Sequence, residues 1–329
     1  MTKYARWLPR LIGPAILGYF LLTTDINRIV LNLRNLRWAP FLLSLALYPI
    51  FVAVKAWRWN QLLRDLGMQA PQLGSSMILY MIGLFLGGAT PGQSGDFIKA
   101  WYLRDRGQPL ASALFSVLLD RLFDFLIMAL LSLLGLIAFI HLFPQQARGP
   151  IEVMTIASAA AIALMIPALM ARGSRDWLMI GTIRLAPGRA RARLERWRTQ
   201  FAALDLRPGL VGSLLFATVC AAASTMIRLW LLFRALDVTI PVGAMVSSMA
   251  LISNLQTLPI SFSGVGVRDA VLIPVLATYG YGADKALALS ALVLFLSIEN
   301  IVLGFLTSLR YPLGRAAPAD PAGTEIVGR

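Results

Sequence analysis

The sequence predicts an all-α, polytopic helical membrane protein, in which two inverted repeats supply about six full spans and two broken or re-entrant helical hairpins. Three observations carry this expectation. The 329 residues are 58% hydrophobic and only 14% charged, whereas soluble domains carry about a quarter of charged residues. The apolar residues gather in runs, several of which approach the ~20 residues that a bilayer crossing takes. Two of the runs also break at a proline among small residues, GGATPGQSGD at 87–96 and TLPISFSGVGVRD at 257–269. A broken helix at membrane depth leaves backbone groups without partners unless protein or a cavity supplies them. Two such breaks at matched places in two halves of a chain point to a binding site.

Residues 11–23 form a short first span behind Lys3, Arg6 and Arg10. These flanks suit a signal peptide, but no small-x-small cleavage site follows, so the span is expected to stay. Ile26, Ile29, Val30, Leu33 and Leu36 then recur at helical spacing opposite Arg28, Asn32 and Asn35, the pattern of an amphipathic helix at the interface. Residues 40–54 are the second span, with Lys55, Arg58 and Arg64 marking its cytoplasmic end and Trp57 and Trp59 at headgroup level. The run 75–88 leads into the first break. A full crossing there would leave Arg104, Asp105 and Arg106 outside, so a hairpin returning to the cytoplasm is expected.

Residues 109–140 go outward and 151–171 come back. The stretch 172–208 has nine arginines against Asp176, Glu195 and Asp205. It reads as a central cytoplasmic loop lying on anionic lipid. Residues 210–233 go outward, 242–279 hold the second break, and 284–309 return ahead of Arg310 and Arg315. The tail, 316–329, is rich in Pro, Ala and Gly and is expected to be disordered. The charge rule thus places both termini in the cytoplasm, in a bacterial-type plasma (inner) membrane. Arg28, Arg34 and Arg37 run against it and are assigned to the interfacial helix. The organisation is one flippase-like membrane domain, 1–315, with a first repeat at about 39–171, the basic loop 172–208, and a second repeat at about 209–310.

The repeat is legible in single residues. Arg58, Arg64 and Leu66 recur as Arg228, Arg234 and Leu236, 170 residues on; Pro91 and Pro259 are 168 apart, and Ser94-Gly95 and Ser263-Gly264 are 169 apart. This common register indicates duplication. The first hairpin enters from the cytoplasm and the second from outside, so the repeats are inverted, as in secondary transporters.

A charge at mid-membrane costs about 2.5–3.5 kcal/mol on insertion scales, so such residues face a cavity or a partner. Asp120, Arg121 and Asp124 sit in LFSVLLDRLFDFLIM, with the two carboxylates on one helix face. Two readings stand side by side: a cluster pinning hairpin to helix, and a direct role in substrate handling. Asp96, Lys99, Arg268 and Asp269 belong to the breaks, whose backbone is shaped by Pro91, Gly92, Ser94, Gly95, Pro259, Ser263, Gly264 and Gly266. Lys99 and Arg268 beside helix N-termini favour an anion such as a phosphate or phosphodiester. Glu299 and Asn300 in the last run are further candidates for contact with a lipid headgroup.

Other chemistries are disfavoured. The net charge of +14 comes from arginines between apolar runs, where membrane anchoring accounts for them better than nucleic acid does. With one cysteine, Cys220, and one histidine, His141, no disulfide framework or Cys/His metal cluster is expected, nor is a cofactor. Gly264-Val265-Gly266 lacks the βαβ frame of a dinucleotide fingerprint.

The set TPGQSGDFIKA, then LLDRLFD, then LPISFSGVGVRDA resembles the flippase-like membrane domain of lysylphosphatidylglycerol synthases, over nearly all the chain to about Arg310. That family favours glutamate where Asp96, Asp120 and Asp269 stand here, and arginine where Lys99 stands, so charge is kept and reach is changed. The resemblance implies a lipid flippase-like role with membrane lipids as partners. No aminoacyl-transfer domain is expected within these residues, so lysyl transfer is not implied. The alternative is a membrane-embedded lipid-modifying enzyme, with Asp96, Asp120 and Asp269 as general bases, or an accessory subunit among lipid-synthesis enzymes.

Overall fold

The computed structural model describes residues 26–185, 187–188, 191–192, 194–195, 197–198, 208–256 and 266–311. The expected first span at 11–23, the break at 257–265 and the tail at 316–329 lie outside them. Apolar runs with no competing hydrogen-bond partner satisfy their backbone internally, and every element named here is helical. In order they are α1 (Ile26–Arg34), α2 (Trp38–Ala46), α3 (Tyr48–Asp65), α4 (Leu73–Ala89), a 3-10 helix (Pro91–Phe97), α5 (Ile98–Asp105), α6 (Leu110–Phe139), α7 (Gln145–Met170), α8 (Arg172–Leu185), α9 (Pro208–Ala235), α10 (Val242–Gln256), α11 (Val267–Ala277) and α12 (Ala283–Arg310).

Among the described residues five helical stretches are long and apolar enough to cross a membrane: Trp38–Asp65, Leu110–Leu142, Gln145–Leu169, Val211–Ala235 and Ala283–Arg310. Their outer faces are apolar and bare, with Ile137 76%, Leu164 71% and Phe216 64% exposed, while Arg58, Asp96 and Lys99 are at most 1% exposed. Apolar outside and charged inside is the reverse of a water-soluble bundle, and defines an integral membrane protein.

One expectation about the second span is corrected. It runs to Asp65 rather than ending at 54, and Lys55 and Arg58 do not mark its cytoplasmic end. Both are inside the bundle, because Asp120 and Asp124 on α6 neutralise them there. Arg64 alone of the three is exposed. The amphipathic helix forms as α1, and Asn32 on it donates to Asp284 at the start of α12 (2.8 Å).

The run 73–105 folds as the expected helical hairpin. Thr90 Oγ1 donates to the Leu86 carbonyl (2.7 Å) and accepts the Gly95 N–H (2.6 Å), which ties the tip to the end of α4. A Cβ on Gly95 would strike the Leu86 carbonyl, and one on Gly83 would strike Asp96 Oδ1. The returning limb therefore lies directly against α4 because glycine stands at both contacts.

The two halves share their turns. After α3, Met68 N–H reaches the Leu63 carbonyl and Gly67 N–H that of Arg64; after α9, Val238 N–H reaches Phe233 and Asp237 N–H reaches Arg234. Gly67 and Asp237, 170 residues apart, both take positive φ, 72° and 55°. A second pair of such turns, at Gly107 and Gly280, both at φ 82°, lies 173 residues apart and leads into α6 and α12. The packing is reciprocal. α12 lies against α4, where Gly304 meets the Met81 carbonyl, and α6 lies against α10, where Gly135 meets that of Ser247.

Candidate functional site

The hairpin brings its charges to α3 and α6. Asp96 Oδ2 takes Arg121 Nε at 2.6 Å and Lys99 Nζ at 2.8 Å. Lys99 Nζ also lies 3.4 Å from Asp120 Oδ2. Asp120 is gripped by Arg58, through Nη2 to Oδ1 at 2.7 Å, and accepts the Tyr80 hydroxyl at 2.6 Å. Arg58 Nη1 extends to Asp124 Oδ1 at 2.8 Å, and Lys55 Nζ closes the chain on Asp124 Oδ2 at 2.8 Å. The middle of this network is sealed: the side chains of Asp96, Lys99 and Asp120 are all 0% exposed, while those of Lys55 and Asp124 are 12% and 13% exposed at its rim.

Neighbouring groups hold the network in place. Lys99 Nζ sits 3.8 Å from the Tyr80 ring centroid and 5.1 Å from that of Trp59, so two aromatic faces share the ammonium with the carboxylates. Trp59 Nε1 donates to Ser116 (3.2 Å), and Arg58 Nη1 to Thr218 on α9 (3.2 Å). Charges this deep survive only when paired and hydrogen-bonded. Among the described residues four cations, Lys55, Arg58, Lys99 and Arg121, meet three carboxylates, Asp96, Asp120 and Asp124. With all of them ionised, the cluster keeps one positive charge in excess.

Of the residues the sequence singles out, Asp96, Lys99, Asp120, Arg121 and Asp124 are thus gathered together. Pro91, Gly92 and Gly95 belong to the 3-10 helix at the tip, and Ser94 there is exposed. Pro259, Ser263 and Gly264 lie outside the described residues. Gly266, Arg268 and Asp269 open α11 in the other half: Asp269 Oδ2 accepts the Gly266 N–H (3.1 Å), and Arg268 Nε donates to Ser290 on α12 (2.8 Å). Asp269 is therefore the capping carboxylate of α11. Glu299 pairs with Arg228 on α9.

Sequence reasoning missed Lys55, Arg58 and Tyr80. The signal was present in the recurrence of Arg58 as Arg228, and in carboxylates at 120 and 124 needing more cations than Arg121 offers. Within α6 the adjacent Arg121 turns away from Asp120 and binds Asp96 on the hairpin instead.

A multi-span α-helical bundle with a hairpin pinned by buried ion pairs defines the class as an integral membrane protein with a charged interior. The chain belongs to the family described as the lysylphosphatidylglycerol synthase TM region, whose model matches residues 8–304. It is also similar to a UPF0104 membrane protein of Methanothermobacter thermautotrophicus, 24% identical over 298 residues, which cover 83% of this chain and 84% of that protein. No solved structure matches the chain.

Proposed function

We propose that the protein is a flippase-like lipid transporter, which moves or presents an anionic or amphipathic lipid of phospholipid, polyprenyl-phosphate or hopanoid type. The observation that carries the reading is the buried network at the hairpin, with four cations to three carboxylates inside an apolar bundle. A lipid phosphate is the counter-charge such a cluster attracts, and the acyl chains remain in the bilayer while the headgroup uses the polar interior. Displacement of Asp96 from Lys99 and Arg121 by that phosphate would couple binding to movement of the hairpin tip.

Membership in the lysylphosphatidylglycerol synthase TM-region family supports a lipid-related role. The matched turns and reciprocal packing of the two halves support an inverted repeat, with both termini cytoplasmic. The test is movement of labelled phosphatidylglycerol between leaflets of proteoliposomes containing only this protein. Mass spectrometry of the recovered lipid separates movement from modification. A flip rate equal to that of protein-free vesicles for each of the three lipid types would end the transport reading.

A further inference from the structure

We propose a second ligand site, in the half opposite the hairpin, in which Arg228 binds the phosphate of a lipid headgroup that also carries a hydrogen-bond donor. The inference rests on the reading above only in taking the ligand to be a lipid. A cleft of about 630 Å³ of empty volume opens among α3, α9, α10 and α12, with Arg228, Thr225, Ser297 and Asn300 on its polar side and Phe51 and Leu296 on its apolar side.

The repeat explains why this cleft exists. Counted from the turns at Gly67 and Asp237, Lys55 and Arg58 of α3 correspond to Thr225 and Arg228 of α9. Counted from those at Gly107 and Gly280, Asp120 and Asp124 of α6 correspond to Val293 and Ser297 of α12. All four second-half residues line the cleft. The ion network of the first half therefore has a counterpart that keeps the arginine and replaces the lysine and both carboxylates by smaller uncharged side chains. The vacated volume lies where Arg58 in the first half meets its anions.

Arg228 is built to face it. The residue is 3% exposed. Its Nε donates to the Ser44 carbonyl (2.9 Å), Ser44 Oγ donates back to the Arg228 carbonyl (2.9 Å), and Nη2 pairs with Glu299. The rings of Tyr48 and Phe51 hold the guanidinium carbon at 5.5 and 5.4 Å. Nη1 makes no hydrogen bond among the described residues. A planar guanidinium fixed on one edge and open on the other suits a phosphate oxygen. Asn300 Oδ1, on the same cleft, is buried without a partner. An acceptor left so costs free energy that a ligand N–H or O–H recovers. Phosphate, donor and apolar body together describe a glycerol- or ethanolamine-type phospholipid better than a choline lipid or a free phosphate.

The test is equilibrium dialysis of the purified full-length chain in maltoside micelles against radiolabelled dihexanoyl-phosphatidylglycerol, -phosphatidylethanolamine and -phosphatidylcholine, and against glycerol 3-phosphate. At least one of the first two is expected to bind about tenfold tighter than the choline lipid and than glycerol 3-phosphate. Arg228→Gln is expected to weaken binding by about ten- to a hundredfold. Because that variant leaves Glu299 unpaired and its fold is at risk, Ser297→Asp is the deciding one. It restores a carboxylate at the position of Asp124, gives Arg228 an internal anion, and is expected to keep the melting temperature while lowering lipid affinity at least tenfold. Unchanged affinity in Ser297→Asp, equal binding of all three lipids, or glycerol 3-phosphate binding as tightly as the lipids would each overturn the proposal. Binding without leaflet-to-leaflet movement would leave this site standing and end the transport reading.

Discussion

Arg58 on α3 and Asp120 on α6 are joined three times over: Nε and Nη2 of the arginine reach Oδ1 at 3.0 and 2.7 Å, and Nη2 also reaches the Asp120 backbone carbonyl at 3.0 Å. Arg58 donates as well to Asp124 and to Thr218 on α9, so one guanidinium fastens three helices at the centre of the first half.

Removing it leaves two carboxylates short of a cation in a dry interior. Arg58→Gln is expected to destabilise the fold by about 3–5 kcal/mol, the typical cost of breaking a buried pair. The readout is folded yield and thermal unfolding in detergent by size-exclusion chromatography. A wild-type melting profile would show that the network adds nothing to stability.

Arg121 tells the two readings of the cluster apart through its partner. Because it binds Asp96, Arg121→Gln is expected to lower folded yield, and Arg121→Gln with Asp96→Asn to restore it, whereas Arg121→Gln with Asp120→Asn should not. If the Asp96 double variant folds and also transports lipid at full rate, the pair is structural only. Folding without transport would place Arg121 on the headgroup path.

The hairpin tip depends on two glycines. Gly95→Ala and Gly83→Ala press a methyl on the Leu86 carbonyl and on Asp96, and each is expected to cost at least 1–3 kcal/mol, on the order of overpacking elsewhere. Gly74, with nothing within 4 Å of its Cβ position, supplies the matched control. Equal melting temperatures for Gly74→Ala and Gly95→Ala would contradict the close approach of the two limbs.

Orientation is tested by labelling in a Cys220→Ala background. Cysteines at Gly107 and Gly188 are expected to react only from the cytoplasm, and one at Gln145 only from outside. Reaction of the Gly107 site from outside would turn the hairpin into a full span and remove the inversion of the two halves.

The element pattern was legible because the membrane forces a local solution. An apolar run must satisfy its own backbone, so α6, α9 and α12 could be read from composition, and the break at Pro91 marked where α4 stops. The recurrence of Arg58 as Arg228 announced the repeat before the matching turns at Gly67 and Asp237 were known. Asp96, Lys99, Asp120, Arg121 and Asp124 stood out for the same reason, since charges in apolar surroundings need an explanation.

What the sequence by itself determined is therefore the class, the helices, the breaks and the presence of buried charge. Only the tertiary structure decided who pairs with whom. Arg121 lies next to Asp120 in the chain yet binds Asp96, while Asp120 takes Arg58 from 62 residues away. It also decided that Lys55 and Arg58 sit inside rather than at a membrane face, and that the equivalent place beside Arg228 is a cleft. The reason is geometric: a helix fixes which side chains share its face, but the partner across the interface is set by how α3, α6 and the hairpin dock. Coulomb attraction in a dry interior then rewards whichever opposite charge that docking brings within about 3 Å.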